Sequence, residues 1–319
     1  MPSPSKQAVR PDAIEANKHN PRLYFNDERL DQLRTSLQEK GILVPLIVYE
    51  KPDEPGRFVL MDGERRWRSA VDLGFDDVPV QVIPAPDPVD NLVQMFNIHS
   101  VREEWSLVAI AIALRELMAL TGETRESRLS DMTGLPRGTV RRAKRVLNLP
   151  EEEIDRIQKE APLDRNEQVH RVDLYLEIER AQSVLSRSLP EIDEKFSRAE
   201  IIRQFARKRE EGSLRNVTDF REVSKLAEAG RDGVIERDKV IRAAAKLIED
   251  VNLNPPEVYE RVAASAVAQH ELAKKAAQLG DGLEGLHGQS LSKELRRRLR
   301  MLREEIDGLI QGASGDGGA

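Results

Sequence analysis

The chain contains no cysteine, which removes disulfides, thiolate metal sites and cysteine nucleophiles at one stroke. Its five histidines (His19, His99, His170, His270 and His287) are scattered and never spaced as a pair of metal ligands. Aromatic residues make up only 4% of the 319 residues, too few for a large aromatic sheet core. No stretch reaches the ~18 apolar residues of a membrane span, and the N-terminus has no hydrophobic signal segment. The expected location is the cytoplasm. An overall basic excess is missing as well: the net charge is −6, so any contact with nucleic acid has to come from a local patch.

What is present is charge, at 33% of residues, which predicts helices with wet faces around one modest sheet. Residues 1 to 19 are polar and read as a flexible arm. Asn20-Pro21-Arg22 is extended by its proline, and Asn26 caps a helix carrying Leu30, Leu33 and Leu37 on one face, with Gly41 as its stop. Ile42 to Tyr49, Phe58 to Met61 and Val78 to Ile83 are β-type runs, and Val89 to Phe96 is a further helix. The expected fold class is therefore α+β, a small sheet with helices, followed by mainly helical regions. The boundaries expected are 20–122 for the first domain, 123–212 for a second, 213–311 for a C-terminal helical region, and 312–319 for a disordered tail.

Three stretches carry chemistry. In the first, Met61-Asp62-Gly63-Glu64-Arg65-Arg66-Trp67-Arg68, a glycine turn runs from a strand into a helix. Free N–H groups and the positive dipole end at such a start favour phosphate, and Arg65, Arg66 and Arg68 offer forked donors. Trp67 and Val71, four apart, are expected to face the core and push those arginines outward. A solvated basic helix with a core tryptophan is the competing reading. The second stretch, Asn97 to Trp105, interrupts helical texture with Asn97, Arg102, Glu103 and Glu104, which suit either a nucleotide and metal or an ordinary cap with a salt bridge.

The third stretch has helix-turn-helix spacing: a short helix from Arg128 to Met132, a turn at Thr133 to Pro136, and a second helix from Arg137 to Leu147. Val140, Ala143 and Leu147 share one face; Arg137, Arg141, Arg142 and Arg145 share another. Between residues 125 and 149 seven basic residues stand against Glu126 and Asp131, a local surplus of five in a chain that is acidic overall. Arg137, Gly138 and Thr139 open the second helix, the end that meets base edges in this motif. Near the C-terminus Leu291, Leu295, Leu299, Leu302, Ile306 and Leu309 form one apolar stripe, either folded back on its own domain or pairing two copies.

In this order the pieces resemble the ParB partition-protein family, in which a domain of the ParB/sulfiredoxin fold precedes a helix-turn-helix and a dimerising C-terminal segment. The resemblance covers about residues 17 to 150. Asn20-Pro21-Arg22 with Leu30 to Val48 is similar to the family's first box, Gly63 to Arg68 to its phosphate box, and Asn97 to Glu104 to its third. It implies a CTP-dependent DNA clamp in plasmid or chromosome partition or mobile-element maintenance, with slow CTPase turnover. Gly63, Glu64, Arg65, Arg66, Arg68 and Arg102 would hold the nucleotide, and Asn97 would lie at Mg²⁺. It also implies duplex DNA as partner, a homodimer, and an ATPase of the ParA type. Departures are Phe96 where that family has glutamate, Val44 where glutamine is common, and an arm whose only arginine is Arg10. The alternatives are a transcriptional regulator with an inactive pocket, or a nuclease of the same fold.

Overall fold

The computed structural model describes residues 5–101 and 105–313. Its sheet comprises β1 (Ser5–Val9), β2 (Ile14–Glu15), β3 (Leu46–Glu50), β4 (Phe58–Asp62) and β5 (Val78–Ile83), in the order β1-β5-β3-β4-β2. β3 and β4 form an antiparallel hairpin, β3 runs parallel to β5, and the edges are β1, antiparallel to β5, and β2, parallel to β4. β4 is buried at every position, as its unbroken apolar run requires, whereas β5 alternates at its start. Leu46, Val48, Leu60, Val78, Val80 and Ala70 form the packed centre.

The expectation of a flexible arm over residues 1–19 is corrected here from Ser5 onward; residues 1–4 lie outside the described residues. Ser5–Val9 supplies a full row of pairs to β5, and Ile14 is a core residue at 3% exposure. A polar composition hid a strand, because an edge strand needs apolar side chains on one face only. The expected strand from Ile42 shrinks to Leu46–Glu50: Leu43 and Val44 lie exposed in a loop that Pro45 keeps from pairing.

Helices α1 (Asp27–Lys40), α2 (Glu64–Asp72) and α3 (Pro88–Val101) flank the sheet. Asn26 caps α1 by accepting from Arg29 N, as its position predicts. α3 runs beyond Phe96, so the polar stretch after it continues a helix where a break was expected. Next come α4 (Leu107–Thr121), α5 (Glu126–Thr133), α6 (Arg137–Val146), α7 (Glu151–Glu160), α8 (Val172–Ser188), α9 (Arg198–Glu210), α10 (Phe220–Arg231), α11 (Arg237–Glu249) and α12 (Pro255–Tyr259). α8 is the hub of this layer, with α6, α9 and α10 packed on it. Gly230 lies inside α10: a Cβ there would sit 3.0 Å from Val240 Cβ, so its small size lets α11 approach.

Packing divides the chain at Ala263/Ala264, with no division near residues 122 or 212. The second unit holds α13 (Ser265–Glu284) and α14 (Lys293–Ala313). α13 buries no residue, and it carries through Gly280 and Gly282. In α14 the stripe is half-exposed at Leu295, Leu299 and Leu302 and open at Ile306 and Leu309. Of the expected disordered tail, the helix includes residues up to Ala313, and the rest lies outside the described residues.

Two positions yield measurable consequences. Gly63, which joins β4 to α2, has φ 100°, and a Cβ there would fall 2.6 Å from Leu46 Cδ2. Gly63→Ala should therefore cost on the order of 3 kcal/mol in denaturant unfolding, from left-handed strain plus core overlap; a loss below about 1 kcal/mol would show that the joint relaxes freely. Lys208 on α9 is fully buried and donates to Asp250 O at 2.6 Å and Leu253 O at 2.9 Å. Burial pushes its amine down to about 8 from the ordinary 10.5. Between those values the folded protein holds fewer protons than the unfolded chain, so stability rises with pH across the window and is lost as pH falls through 8. The difference between wild type and Lys208→Met, followed by urea unfolding from pH 8 to 10, should change by on the order of 2 kcal/mol; a constant difference would refute the assignment.

Candidate nucleotide cleft and helix-turn-helix face

The β4–α2 joint sets the first site. Because Gly63 caps α2 without a side chain, the first N–H groups of the helix have no side-chain acceptor from the cap. In front of them lies a cleft of about 190 Å³ lined by Asn20, Arg22, Phe25, Leu33, Asp62, Gly63, Glu64, Arg65, Arg66 and Trp105. One wall is the β4–α2 joint; the other is the segment 17–26, whose Asn20 Nδ2 donates to Glu64 Oε2 at 2.5 Å. Glu64 is nearly buried and also takes Arg68 Nε at 2.9 Å and Nη2 at 2.6 Å on Oε1. Its charge is thus held by two partners, one from each wall.

The arginines do not form the expected outward fan. Arg66 turns inward and donates to Val44 O, to Pro45 O at 2.9 Å and to Asp62 Oδ2 at 3.3 Å, fixing the loop before β3. Arg68 lies over the Phe25 ring at 4.6 Å, with Arg22 at 5.0 Å from the same ring. Arg65 lines the cleft and donates to Arg29 O at 3.2 Å, a single neutral acceptor that an anion can replace. Trp67 is only half-buried, its indole N–H donating to Pro11 O at 3.0 Å, and Val71 is 49% exposed. The helix starts at Glu64, and that phase places Ser69 and Ala70 inside; Trp67 packs against the core as expected, whereas the expected core place of Val71 is corrected.

Asn97 is not brought into the cleft. It is exposed near the end of α3, and its Oδ1 would sit 3.4 Å from a Cβ built on Gly134, in the turn between α5 and α6. Arg102, like Glu103 and Glu104, lies outside the described residues. Among the described residues no group of three or more histidines and carboxylates is arranged to hold a metal. Sequence reasoning missed Asn20, Arg22 and Phe25 as cleft residues; the signal was their place in an Asn-Pro-Arg segment that proline holds extended.

The third stretch folds as two helices joined by a glycine turn. α5 ends at Gly134 in the left-handed region, Thr133 Oγ1 bonds back to Leu129 O, and α6 begins after Pro136. Val140, Ala143 and Val146 form its buried face, with Val146 in the place expected of Leu147. Arg137 and Gly138 are exposed and Thr139 is half-buried at the open end of α6. Arg141 donates to Glu126 Oε2 at 3.1 Å and Arg142 to Asp173 Oδ1 at 3.4 Å, both from exposed side chains. Arg145 belongs to a different class: it is tied to Glu179 Oε2 at 2.8 Å and to Leu176 O at 2.6 Å on α8, and Glu179 is 6% exposed. That arginine fastens α6 to α8.

The chain is 32% identical over 140 residues to the chromosome-partitioning protein ParB of Caulobacter vibrioides, covering 44% of this chain and 45% of that protein. It is 31% identical over 139 residues to a nucleoid occlusion protein of Bacillus cereus, covering 44% and 47%. The match thus spans slightly less than half the length of either relative. A solved structure of C-terminally truncated ParB from Caulobacter crescentus, complexed with CTP-γ-S, is similar at 25% identity over 52% of this chain and 92% of that one, with a TM-score of 0.28. Residues 3–97 match the family model described as the ParB N-terminal domain, a stretch that includes most of the residues lining the cleft.

Proposed function

We propose that this chain is a ParB-like DNA-binding protein whose hold on duplex DNA is switched by CTP. The observation that carries the reading is the cleft at Gly63: a side-chain-free helix start, Arg22 and Arg65 on facing walls, and Phe25 beside them. This donor set suits a triphosphate, with backbone N–H groups at Glu64 and Arg65 taking oxygens head-on and the guanidiniums taking them from the sides. The ParB N-terminal domain and relatives named for chromosome partition and nucleoid occlusion support the same class. Mg²⁺ is a poorer fit to the described residues, because Asn97 stands beside Gly134 and no carboxylate cluster lines the cleft; we assign it no ligand.

The α5–α6 pair is the DNA-reading element in this proposal, with Arg137, Gly138 and Thr139 toward the base edges and Arg141 and Arg142 toward phosphates. Segment 17–26 supports a switch, since it forms one wall of the cleft and also bonds the helical layer: Gln158 Nε2 donates to Pro21 O at 2.9 Å, and Asn26 Nδ2 to Pro162 O at 3.2 Å. An anion that reorders Arg22 therefore acts on both. α14, amphipathic with an open stripe, is assigned to pairing two copies.

Calorimetry with CTP, ATP, GTP and UTP in Mg²⁺, with and without duplex DNA, tests the switch. Selective CTP binding is expected, with Arg65→Ala weakening it by at least about tenfold while duplex binding persists. Absence of binding to every nucleotide would leave a DNA-binding protein with an inactive pocket, and metal-dependent nicking of DNA would turn the reading toward a nuclease. Truncation after Gly288 should reduce the native mass measured by light scattering to that of one chain; an unchanged oligomer would remove α14 as the pairing element.

A further inference from the structure

The cations around α6 differ in how firmly they are held, and one carboxylate governs two of them. Asp173, in the first turn of α8, receives Arg142 Nη2 on Oδ1 at 3.4 Å and Arg165 Nη2 on Oδ2 at 3.3 Å. The two guanidiniums come from separate elements, α6 and the loop 161–171, and converge on the two oxygens of one group. All three side chains are open to solvent, at 53% for Arg142, 75% for Arg165 and 46% for Asp173. Both contacts are long, and exposed pairs of this kind contribute little to stability. Arg145 is the contrast: shorter bonds, a buried carboxylate and a second acceptor in Leu176 O keep it in place.

We propose that Asp173 is a built-in stand-in for a DNA phosphate, and that a backbone phosphodiester takes its place between Arg142 and Arg165. A phosphodiester matches the carboxylate in the features that matter here: a single negative charge shared over two terminal oxygens. The exchange leaves Asp173 a favourable alternative, because its carboxylate already lies at the positive end of α8. Two consequences follow. Arg165, which lies outside the helix-turn-helix, joins the DNA-contacting surface. Asp173 lowers affinity for duplex of every sequence alike, since phosphate contacts carry no sequence information.

This inference rests on the DNA-binding reading above, and its test separates the two. The full chain is titrated against random-sequence duplex DNA by fluorescence anisotropy over a series of salt concentrations. Asp173→Asn should tighten binding about three- to tenfold at low salt, with the gain fading as salt screens it. Arg165→Ala should weaken binding and reduce the slope of log affinity against log salt by about 0.9, the share of one phosphate. In the double variant most of the gain from Asp173→Asn should disappear. If Arg137→Ala weakens binding while Asp173→Asn and Arg165→Ala both match wild type in affinity and slope, the phosphate stand-in is overturned and DNA binding survives. If wild type shows no salt-dependent binding to any duplex, both fall together. Arg165 is exposed in a loop, so its replacement leaves folding intact, and thermal melts of each variant verify this.

Discussion

The joint at Gly63 is the constraint on which the first site depends. β4 is buried on all sides, so the chain leaving it has to turn sharply before a helix can begin, and Leu46 on the neighbouring strand occupies the space a side chain would need. A left-handed glycine meets both conditions. Once that turn is made, α2 starts at the cleft, and its first residue, Glu64, accepts from Asn20 and Arg68. The site is thus a by-product of ending a buried strand in a helix. The same geometry that packs Leu46 puts the start of α2 at the edge of the cleft.

The segment facing this joint connects two layers of the fold. Asn17 Nδ2 donates to Asn91 Oδ1 at 2.9 Å, and Asn91 in turn donates to the Tyr49 hydroxyl at 3.2 Å, so the start of the segment is anchored by a buried amide chain on the sheet side. Burial raises the Tyr49 phenol above its ordinary range, which keeps it a neutral partner in that chain. Further along, His19 meets Glu116 on α4, Pro21 O accepts from Gln158 on α7, and Asn26 reaches Pro162. A segment with no repeating hydrogen-bond pattern of its own is held by partners from several elements. Its conformation therefore depends on all of them, which is why a ligand touching Arg22 has mechanical access to the helical layer.

How much of this was legible in the sequence depended on whether the signal was local. Asn26 as cap, Gly41 as stop, the hairpin between β3 and β4 and the turn at Gly134 are decided by a few adjacent residues, and each stands where its chemistry puts it. The strand Ser5–Val9 was not legible, because its reason for existing is β5, about seventy positions away. α10 and its tight contact with α11 were hidden by Gly230, whose smallness reads as flexibility until Val240 is found against it. The cleft was half legible: the β4–α2 joint is a local motif, whereas Asn20, Arg22 and Phe25 arrive through tertiary packing.

Arginine shows most clearly where composition stops being informative. Seven basic residues around the α5–α6 pair mark a patch, yet the count assigns the same weight to Arg145, locked onto Glu179 and Leu176 O, as to Arg137 at the open end of α6. In the cleft Arg66 spends its donors on the carbonyls of Val44 and Pro45 and on Asp62, while Arg65 gives its one described bond to a neutral carbonyl. A guanidinium with buried, multiple acceptors is part of the scaffold, because removing any acceptor would leave its charge poorly compensated. One with a single exposed acceptor can exchange it for a phosphate at small cost. The cations that the proposed function uses are therefore the ones whose present bonds are weak, and that weakness is a property of the fold.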